Sequence, residues 1–210
     1  MPEYGNKSPL SYNEYLSVVD LIGLQKCRSD PQHHDELLFI TIHQAYELWF
    51  KQILHEIDAA MVLMAEGRLA SAAQTKRRVV EIEKLLVNQI HILETMTPIS
   101  FLGFRDRLNP ASGFQSMQFR EIEFSSGAKD EGILREFRND EFAYERLKKR
   151  FAAPSLNDVF YAALSKRGFD APPDDASLNQ AQRKERYEKR KAVVLEILTH
   201  FEARYEEFQL

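Results

Sequence analysis

One stretch decides the fold: residues 36–65 read ELLFITIHQAYELWFKQILHEIDAAMVLMA. Apolar residues recur in it every three or four positions without interruption, which is the repeat of one face of an α-helix. The positions on this face are Leu38, Ile42, Ala45, Trp49, Ile53, Ile57, Ala60 and Met64. The pattern predicts a long amphipathic helix over 36–65, with Asp35 as its N-cap and Gly67 at its end.

The rest of the chain has helical patterns too. A second long helix is predicted over 69–95, and Pro98 follows its end. Short loops between long amphipathic helices favour antiparallel packing. Shorter helices are predicted at 11–26, 131–151 and 155–167, and a last one from near Asn179, with Ser155 as the cap of the third. We therefore predict an all-α fold, a helical bundle of long antiparallel helices.

Two parts of the chain interrupt this pattern. Residues 98–127 are predicted to be less regular, because Asn109-Pro110 and Ser112-Gly113 are typical of turns. Residues 169–178 are predicted to be an exposed loop within a single domain over 1–210. The apolar stripe of the last helix includes Phe201, Tyr205 and Phe208 and continues to Leu210. That stripe predicts a domain that is incomplete at its C-terminus.

Composition excludes several classes of protein. A net charge of −4 and a pI near 5.9 argue against a nucleic-acid-binding surface. The single cysteine, Cys27, cannot form an intrachain disulfide, which fits a reducing compartment. The N-terminus lacks the pattern of a signal peptide, and no apolar run is long enough to cross a bilayer. We expect a cytoplasmic protein.

A histidine lies within the most apolar part of the chain. Phe39, His43 and Glu47 are spaced at i, i+4 and i+8, so they share one face of the predicted helix. This face is offset from the main stripe, and His43 could meet a ligand there. The other interpretation is a His43–Glu47 pair that satisfies the imidazole within the fold. The spacing leaves both open.

The start of the same helix suggests a metal site by composition. The residues concerned are His33, His34, Asp35, Glu36 and His43. Adjacent histidines at a helix start point apart, and no HExxH pair occurs. The sequence therefore favours polar residues that cap the helix over a metal centre.

Three arginines follow the second long helix, in FLGFRDRLNPASGFQSMQFREIEF: Arg105, Arg107 and Arg120. Arginine suits bidentate recognition of a carboxylate. Ion pairs with Asp106, Glu121 and Glu123 are the structural alternative for each. Spacing alone does not choose among the three.

Two long segments carry a resemblance to a known family. HHDELLFITIHQAYELWFKQILHEI and FRDRLNPASGFQSMQFREIEF resemble the signature segments of the tryptophan 2,3-dioxygenase family, and LSYNEYL and APSLNDVFYAAL extend the resemblance over most of the chain. The resemblance implies an all-α, homotetrameric oxidoreductase that carries haem b. It implies opening of the indole ring of L-tryptophan with O2 to give N-formylkynurenine, the first step of the kynurenine pathway of tryptophan catabolism.

The resemblance also implies roles for individual residues. His43 is implied to accept the indole N–H as a catalytic residue on the distal side of the haem, Phe39 to pack on the indole, and Arg105 to clamp the substrate carboxylate. Further implied substrate contacts are Ile40, Thr41, Ile42, Phe101 and Ser112, together with Tyr12, Tyr15 and Leu16, which reach into a neighbouring subunit's pocket. Implied haem contacts are Trp49, Phe104, Ser112 and Gly113. Phe101 stands where some members carry a tyrosine, so it brings no hydroxyl to the pocket.

The axial histidine of the haem is implied to lie beyond Leu210. His200 lies about four turns too early to replace it, and His55 and His91 match no role. The chain is therefore expected to be an N-terminal portion that alone neither holds haem in the family's manner nor turns over tryptophan. Two alternatives remain: an inactive or split paralogue acting as a binding or assembly module, and a haem enzyme for another indole. Retention of His43, Arg105 and PASGFQS favours tryptophan over another indole.

Overall fold

The computed structural model describes residues 10–172 and 178–200, with only the backbone of His200. Its α-helices are α1 Tyr12–Tyr15, α2 Val18–Ile22, α3 His34–Ala65, α4 Leu69–Leu93, α5 Pro98–Arg105, α6 Met117–Ser126, α7 Glu131–Glu136, α8 Glu141–Ala152, α9 Leu156–Lys166 and α10 Gln180–His200. A 3₁₀ turn covers Gly113–Gln115. These described residues contain no β-strand, which confirms the all-α prediction.

The two long helices form as predicted, with 32 residues in α3 and 25 in α4. Gly67 ends α3 with a φ of 79°, a left-handed conformation that favours glycine. The N–H groups of Gly67 and Arg68 close the helix on the carbonyls of Met64 and Leu63. The predicted N-cap is wrong. Asp35 lies inside the first turn, and its N–H donates to Nδ1 of the preceding His33 at 3.2 Å.

The shorter helices differ from the prediction in three places. Residues 11–26 form two short helices, separated at Ser17 by a left-handed backbone with a φ of 50°. Residues 131–151 also divide into two, because the Asp140 side chain accepts the Ala143 N–H and begins a new helix. Residues 98–127 are more helical than predicted, since the Thr97 and Ser116 side chains each cap a helix.

Two predicted helix starts are confirmed. The Ser155 side chain accepts the Asp158 N–H, and the Asp158 carboxylate accepts the Ser155 N–H, which together form a capping box. Asn179 precedes α10, and its side-chain oxygen accepts the Gln182 N–H at 3.0 Å. The stripe residues Phe201, Tyr205 and Phe208 lie outside the described residues.

The chain divides into two compact units. Unit 1 comprises residues 1–45 and 89–111, and unit 2 comprises residues 46–88 and 112–210. Helices α3 and α4 each run from one unit into the other. The prediction of one domain over 1–210 stays a prediction.

The core of unit 2 forms between α3 and α4. Its central cluster consists of Ile53, Ile57, Val79, Ile82 and Leu86, with Trp49 packed against it. A second cluster joins Ala60 and Met64 of α3 to Leu69 and Ala72 of α4, across the Gly67 turn. The Tyr46 hydroxyl donates to the Leu86 carbonyl near the other end of this pair. These contacts make α3 and α4 antiparallel, as predicted.

The 169–178 stretch is not uniformly exposed where the structure describes it. Ala171 is buried and packs with Leu164 and Val193. Residues 173–177 lie outside the described residues. Across the described part of the chain, none of the helices combines the length and apolar character that spanning a membrane requires.

Candidate functional site

Five rings meet in unit 1 and form what we call the ring cluster: His33, Phe39, His43, Phe101 and Phe104. Phe39 lies at its centre, with ring centroids 4.1 Å from His43, 5.7 Å from Phe101 and 5.6 Å from Phe104. Phe104 also contacts His33 at 5.4 Å and Phe101 at 5.5 Å. Such tilted and edge-to-face pairs are the arrangements that aromatic rings prefer. Phe104 is 1% exposed and is therefore the buried base of the cluster.

The hydrogen bond of His43 fixes which of its nitrogens can accept. Nδ1 lies 2.7 Å from the carbonyl oxygen of Phe39, one helical turn earlier. A carbonyl only accepts, so Nδ1 must donate, and in the neutral ring the acceptor is then Nε2. Within the described part of the chain, Nε2 has no hydrogen-bond partner. The half-buried His43 ring therefore presents an acceptor beside the Phe39 ring.

The structure removes one of the two interpretations of His43. Glu47 does not pair with the imidazole. Its carboxylate and its carbonyl each accept Nε2–H of Gln118 at 2.8 Å, in contacts within unit 2. His43 is instead satisfied on one nitrogen by its own helix, so the pairing hypothesis is wrong.

The three arginines separate into different environments. Arg105 ends α5 one turn after Phe101 and is exposed, and its side chain makes no hydrogen bond or ion pair with any described residue. The Arg107 side chain is exposed and likewise lacks a described partner. Arg120 is 9% exposed and pairs with Glu123 at 2.7 Å, so its role is structural. Arg105 follows Phe101 by four positions in α5, so the two side chains share one helix face.

Arg120 also holds the turn that begins at Ser112. Its Nε and Nη2 donate to the Phe114 carbonyl at 3.3 and 3.1 Å. The Ser112 side chain accepts the Phe114 N–H, and the Gln115 side chain accepts the Ser112 N–H. The turn is thus fixed from both ends.

Arg120→Lys is expected to lower the free energy of unfolding by about 1–2 kcal/mol, because a lysine ammonium cannot make the forked contact with Phe114 and Glu123 together. Urea unfolding at neutral pH measures the change. Arg138→Lys, at an exposed position, is the matched control and should change little. A loss equal to that of the control would contradict the role given to Arg120.

Gly113 lies open on the surface of this turn. Its φ is not in the left-handed region, and a Cβ built on it would meet no atom of the described chain within 4 Å. Neither backbone conformation nor internal packing therefore requires glycine at this position.

The other candidate residues lie in varied surroundings. Ile40, Thr41 and Ile42 lie at other angles of α3 than Phe39 and His43. Ile42 is buried in the protein, and the exposed Thr41 hydroxyl donates to the Leu37 carbonyl. Trp49 packs on the core of unit 2. Tyr12 and Tyr15 are 75% and 74% exposed, and Leu16 is exposed beside them.

One feature near the site was not predicted from the sequence. The carboxylate of Glu36 is 0% exposed and accepts the N–H groups of Arg28 and Ser29 and the Ser29 hydroxyl. Glutamate at the third position of a helix often reaches back to the residues before it, which was the available signal. Within the described residues, no group of three or more His, Cys, Asp or Glu side chains could hold a metal ion.

The helical fold and the ring cluster define an all-α protein that presents an imidazole acceptor among phenylalanine rings. A family model described as tryptophan 2,3-dioxygenase matches residues 3–167. Curated relatives named tryptophan 2,3-dioxygenase include one from Nocardioides sp. at 54% identity over 179 residues, one from Herpetosiphon aurantiacus at 46% over 173, and one from Serratia proteamaculans at 42% over 165. The chain belongs to the tryptophan 2,3-dioxygenase family.

The matches cover most of this chain and a smaller share of the relatives. They include 83%, 82% and 79% of the chain in the order given above, and 67%, 66% and 59% of the three relatives. The chain therefore spans about two thirds or less of the length of these curated relatives.

Proposed function

We propose that this chain works in the haem-dependent opening of the indole ring of L-tryptophan by O2, which gives N-formylkynurenine. The observation that supports this most directly is the Nε2 acceptor of His43 beside the Phe39 ring, in the same unit as Arg105. The curated relatives given above all bear the name of this enzyme, which favours it over an inactive binding module.

The ring cluster suits the indole end of tryptophan. An indole is flat and apolar, and its N–H can only donate. His43 Nε2 would accept that N–H, and Phe39 would pack against the ring. Arg105, free of a described partner and exposed, would bind the carboxylate as a fork. Two separated contacts fix both the position and the orientation of the substrate.

The residues fit haem in part. Haem iron takes only one or two axial ligands from protein, so a cluster of three ligating side chains is not required. Within unit 2, the open backbone at Gly113 would leave a haem edge free to approach, and Ser112 precedes it. Trp49 packs on the core of unit 2, and Phe104 is buried in unit 1, so we propose neither as a direct contact of haem.

In this proposal, haem and protein have separate roles. When bound, haem supplies the activation of O2, and the protein binds and orients the indole and excludes water. We also propose a homotetramer, supported by the exposed apolar side chains of Tyr12, Tyr15 and Leu16, which an interface would cover. A cytoplasmic location is proposed because the single cysteine, Cys27, fits a reducing compartment.

The function is tested in a haem-loaded form of the protein that carries the family's iron-ligating histidine, which is incubated with L-tryptophan and O2 while the absorbance of N-formylkynurenine is followed. Formation of this product supports the proposal. A stable haem complex that binds tryptophan without forming product would contradict it and favour a binding module.

His43→Ala is expected to raise the KM for L-tryptophan about five- to tenfold, since a lost hydrogen bond costs about 1 kcal/mol. The KM for 1-methyl-L-tryptophan, which has no indole N–H, should change less than about twofold, because that contact is absent from the start. Steady-state kinetics with both substrates measures the difference, and His55→Ala, at an exposed position of α3, is the control. Equal increases for the two substrates, or loss of the haem absorbance, would show that His43 acts elsewhere.

A further inference from the structure

The backbone of α5 lies directly against the ring of His33. A Cβ built on Gly103 would lie 2.7 Å from Cδ2 and 2.8 Å from Nε2 of that imidazole. Cβ atoms are essentially never found so close to other heavy atoms. Gly103 is therefore required because His33 occupies the space that any other side chain would need.

His33 is held in this place from several directions. Its backbone N–H donates to Ser29 Oγ at 2.8 Å, and its Nδ1 accepts the Asp35 N–H at 3.2 Å. The ring also contacts Phe104, the residue after Gly103 in α5, with the centroids 5.4 Å apart. A ring held in this way cannot move aside easily when Gly103 acquires a side chain.

The anchor behind His33 is the buried carboxylate of Glu36. It accepts the Arg28 N–H at 2.6 Å and the Ser29 N–H at 2.9 Å, and it also accepts the Ser29 hydroxyl. Ser29 in turn accepts the His33 N–H. A chain of contacts therefore links Glu36, in the first turn of α3, through Ser29 to the backbone of His33.

Helix α5 has few other means of holding its position. It contains eight residues, of which Ile99 and Leu102 are 82% and 60% exposed. Its described contacts with α3 and the segment before it come from the rings of Phe101 and Phe104 and from the backbone at Gly103. Among these contacts, that of His33 with bare backbone limits how closely α5 approaches.

We propose that His33 is a positioning residue that sets the place of α5 against the start of α3. It thereby places Phe101 and Arg105 relative to Phe39 and His43. This inference rests on the proposed function, because its consequence is the spacing between the carboxylate and indole contacts of tryptophan. A substrate held at both ends is sensitive to that spacing, whereas one held only at the indole is not.

The test uses the full chain with His33→Ala, with Gly103→Ala and with both changes. Either single change should speed hydrogen exchange of the α5 amides, those of residues 101–105, about tenfold, because α5 loses its support or is pushed away from it. The double variant should return to within about threefold of the wild type, because the new methyl group takes part of the space that the ring vacated. Amides of α4 within unit 2 are the internal control and should not change.

Kinetics of the haem-loaded protein then separates positioning from stability. Each single variant should raise the KM for L-tryptophan with kcat within about twofold, and should affect tryptamine, which lacks the carboxylate, much less. In the double variant, the KM for L-tryptophan should return most of the way to the wild-type value. This split between KM and kcat, and between the two substrates, is not expected from a general loss of stability.

Three results would overturn the positioning role. One is unchanged α5 exchange in both single variants, and another is a double variant as disturbed as the single ones. Parallel losses for tryptophan and tryptamine would also overturn it, by assigning His33 to stability alone. A wild type that carries the iron-ligating histidine, binds haem and still makes no N-formylkynurenine overturns the proposed function instead. Hydrogen exchange still decides whether His33 sets the place of α5.

Discussion

Arg105→Ala is expected to lower kcat/KM for L-tryptophan about 100-fold in the haem-loaded protein. A hydrogen bond to a charged group contributes about 1.5–3 kcal/mol, and each 1.4 kcal/mol corresponds to a factor of ten. The Arg105 side chain makes no hydrogen bond or ion pair with the described residues, so its truncation should leave the free energy of unfolding within about 0.5 kcal/mol of the wild type. The loss should therefore appear in substrate use and not in stability.

Two controls test whether the loss is specific to Arg105 and to the carboxylate of the substrate. Tryptamine keeps the indole and the amine but lacks the carboxylate, so its kcat/KM should change less than about threefold. Arg107→Ala removes a neighbouring exposed arginine that also lacks a described partner, and it should leave tryptophan use near that of the wild type. Equal losses for tryptophan and tryptamine, or a larger loss in Arg107→Ala, would show that Arg105 is not the carboxylate ligand.

Glu36→Gln is expected to lower the free energy of unfolding by about 2–3 kcal/mol at pH 7, because buried N–H donors lose a charged acceptor. A glutamine keeps the shape of the side chain but turns one acceptor oxygen into a donor, which would face the donors of Ser29 or Arg28. Urea unfolding measures the loss. Glu83→Gln, on the exposed face of α4, is the matched control.

The effect of Glu36 should depend on pH in a defined direction. Burial by itself raises the pKa of the Glu36 carboxyl, but the hydrogen bonds from the Ser29 hydroxyl and the two backbone N–H groups, with the nearby His33, lower the pKa overall. A carboxyl whose pKa is lower in the folded state stabilises the fold above its unfolded pKa, near 4.5, and loses that contribution as pH falls through the folded pKa. The difference in the free energy of unfolding between the wild type and Glu36→Gln should therefore have its full value at pH 7. It should become smaller as the pH falls below 4.5. A difference that is constant over this range would contradict an ionised Glu36.

The helices were predictable where burial and local signals agree. The pattern of residues 36–65 gave α3 nearly in full, and Gly67 and Ser155 marked a helix end and a helix start by local chemistry. The pattern of residues 11–26 failed because periodicity counts side chains on one face and does not report a backbone break. Since α1 and α2 contain no buried residue, no tertiary packing stabilises one continuous helix across Ser17.

The sequence by itself determined the all-α class and placed His43 and Arg105 among the candidates, because helix periodicity and residue chemistry are local properties. Only the tertiary structure decided which partners the polar side chains take. In the structure, Gln118 donates a hydrogen bond to Glu47, 71 residues away along the chain. Arg120 is buried, whereas Arg105 is exposed. The tertiary structure also set His33 against Gly103, 70 residues later, where no pattern in either segment predicts contact. Contacts at such separations depend on how helices pack, and packing is set by the whole core rather than by the few residues within reach of one helical turn.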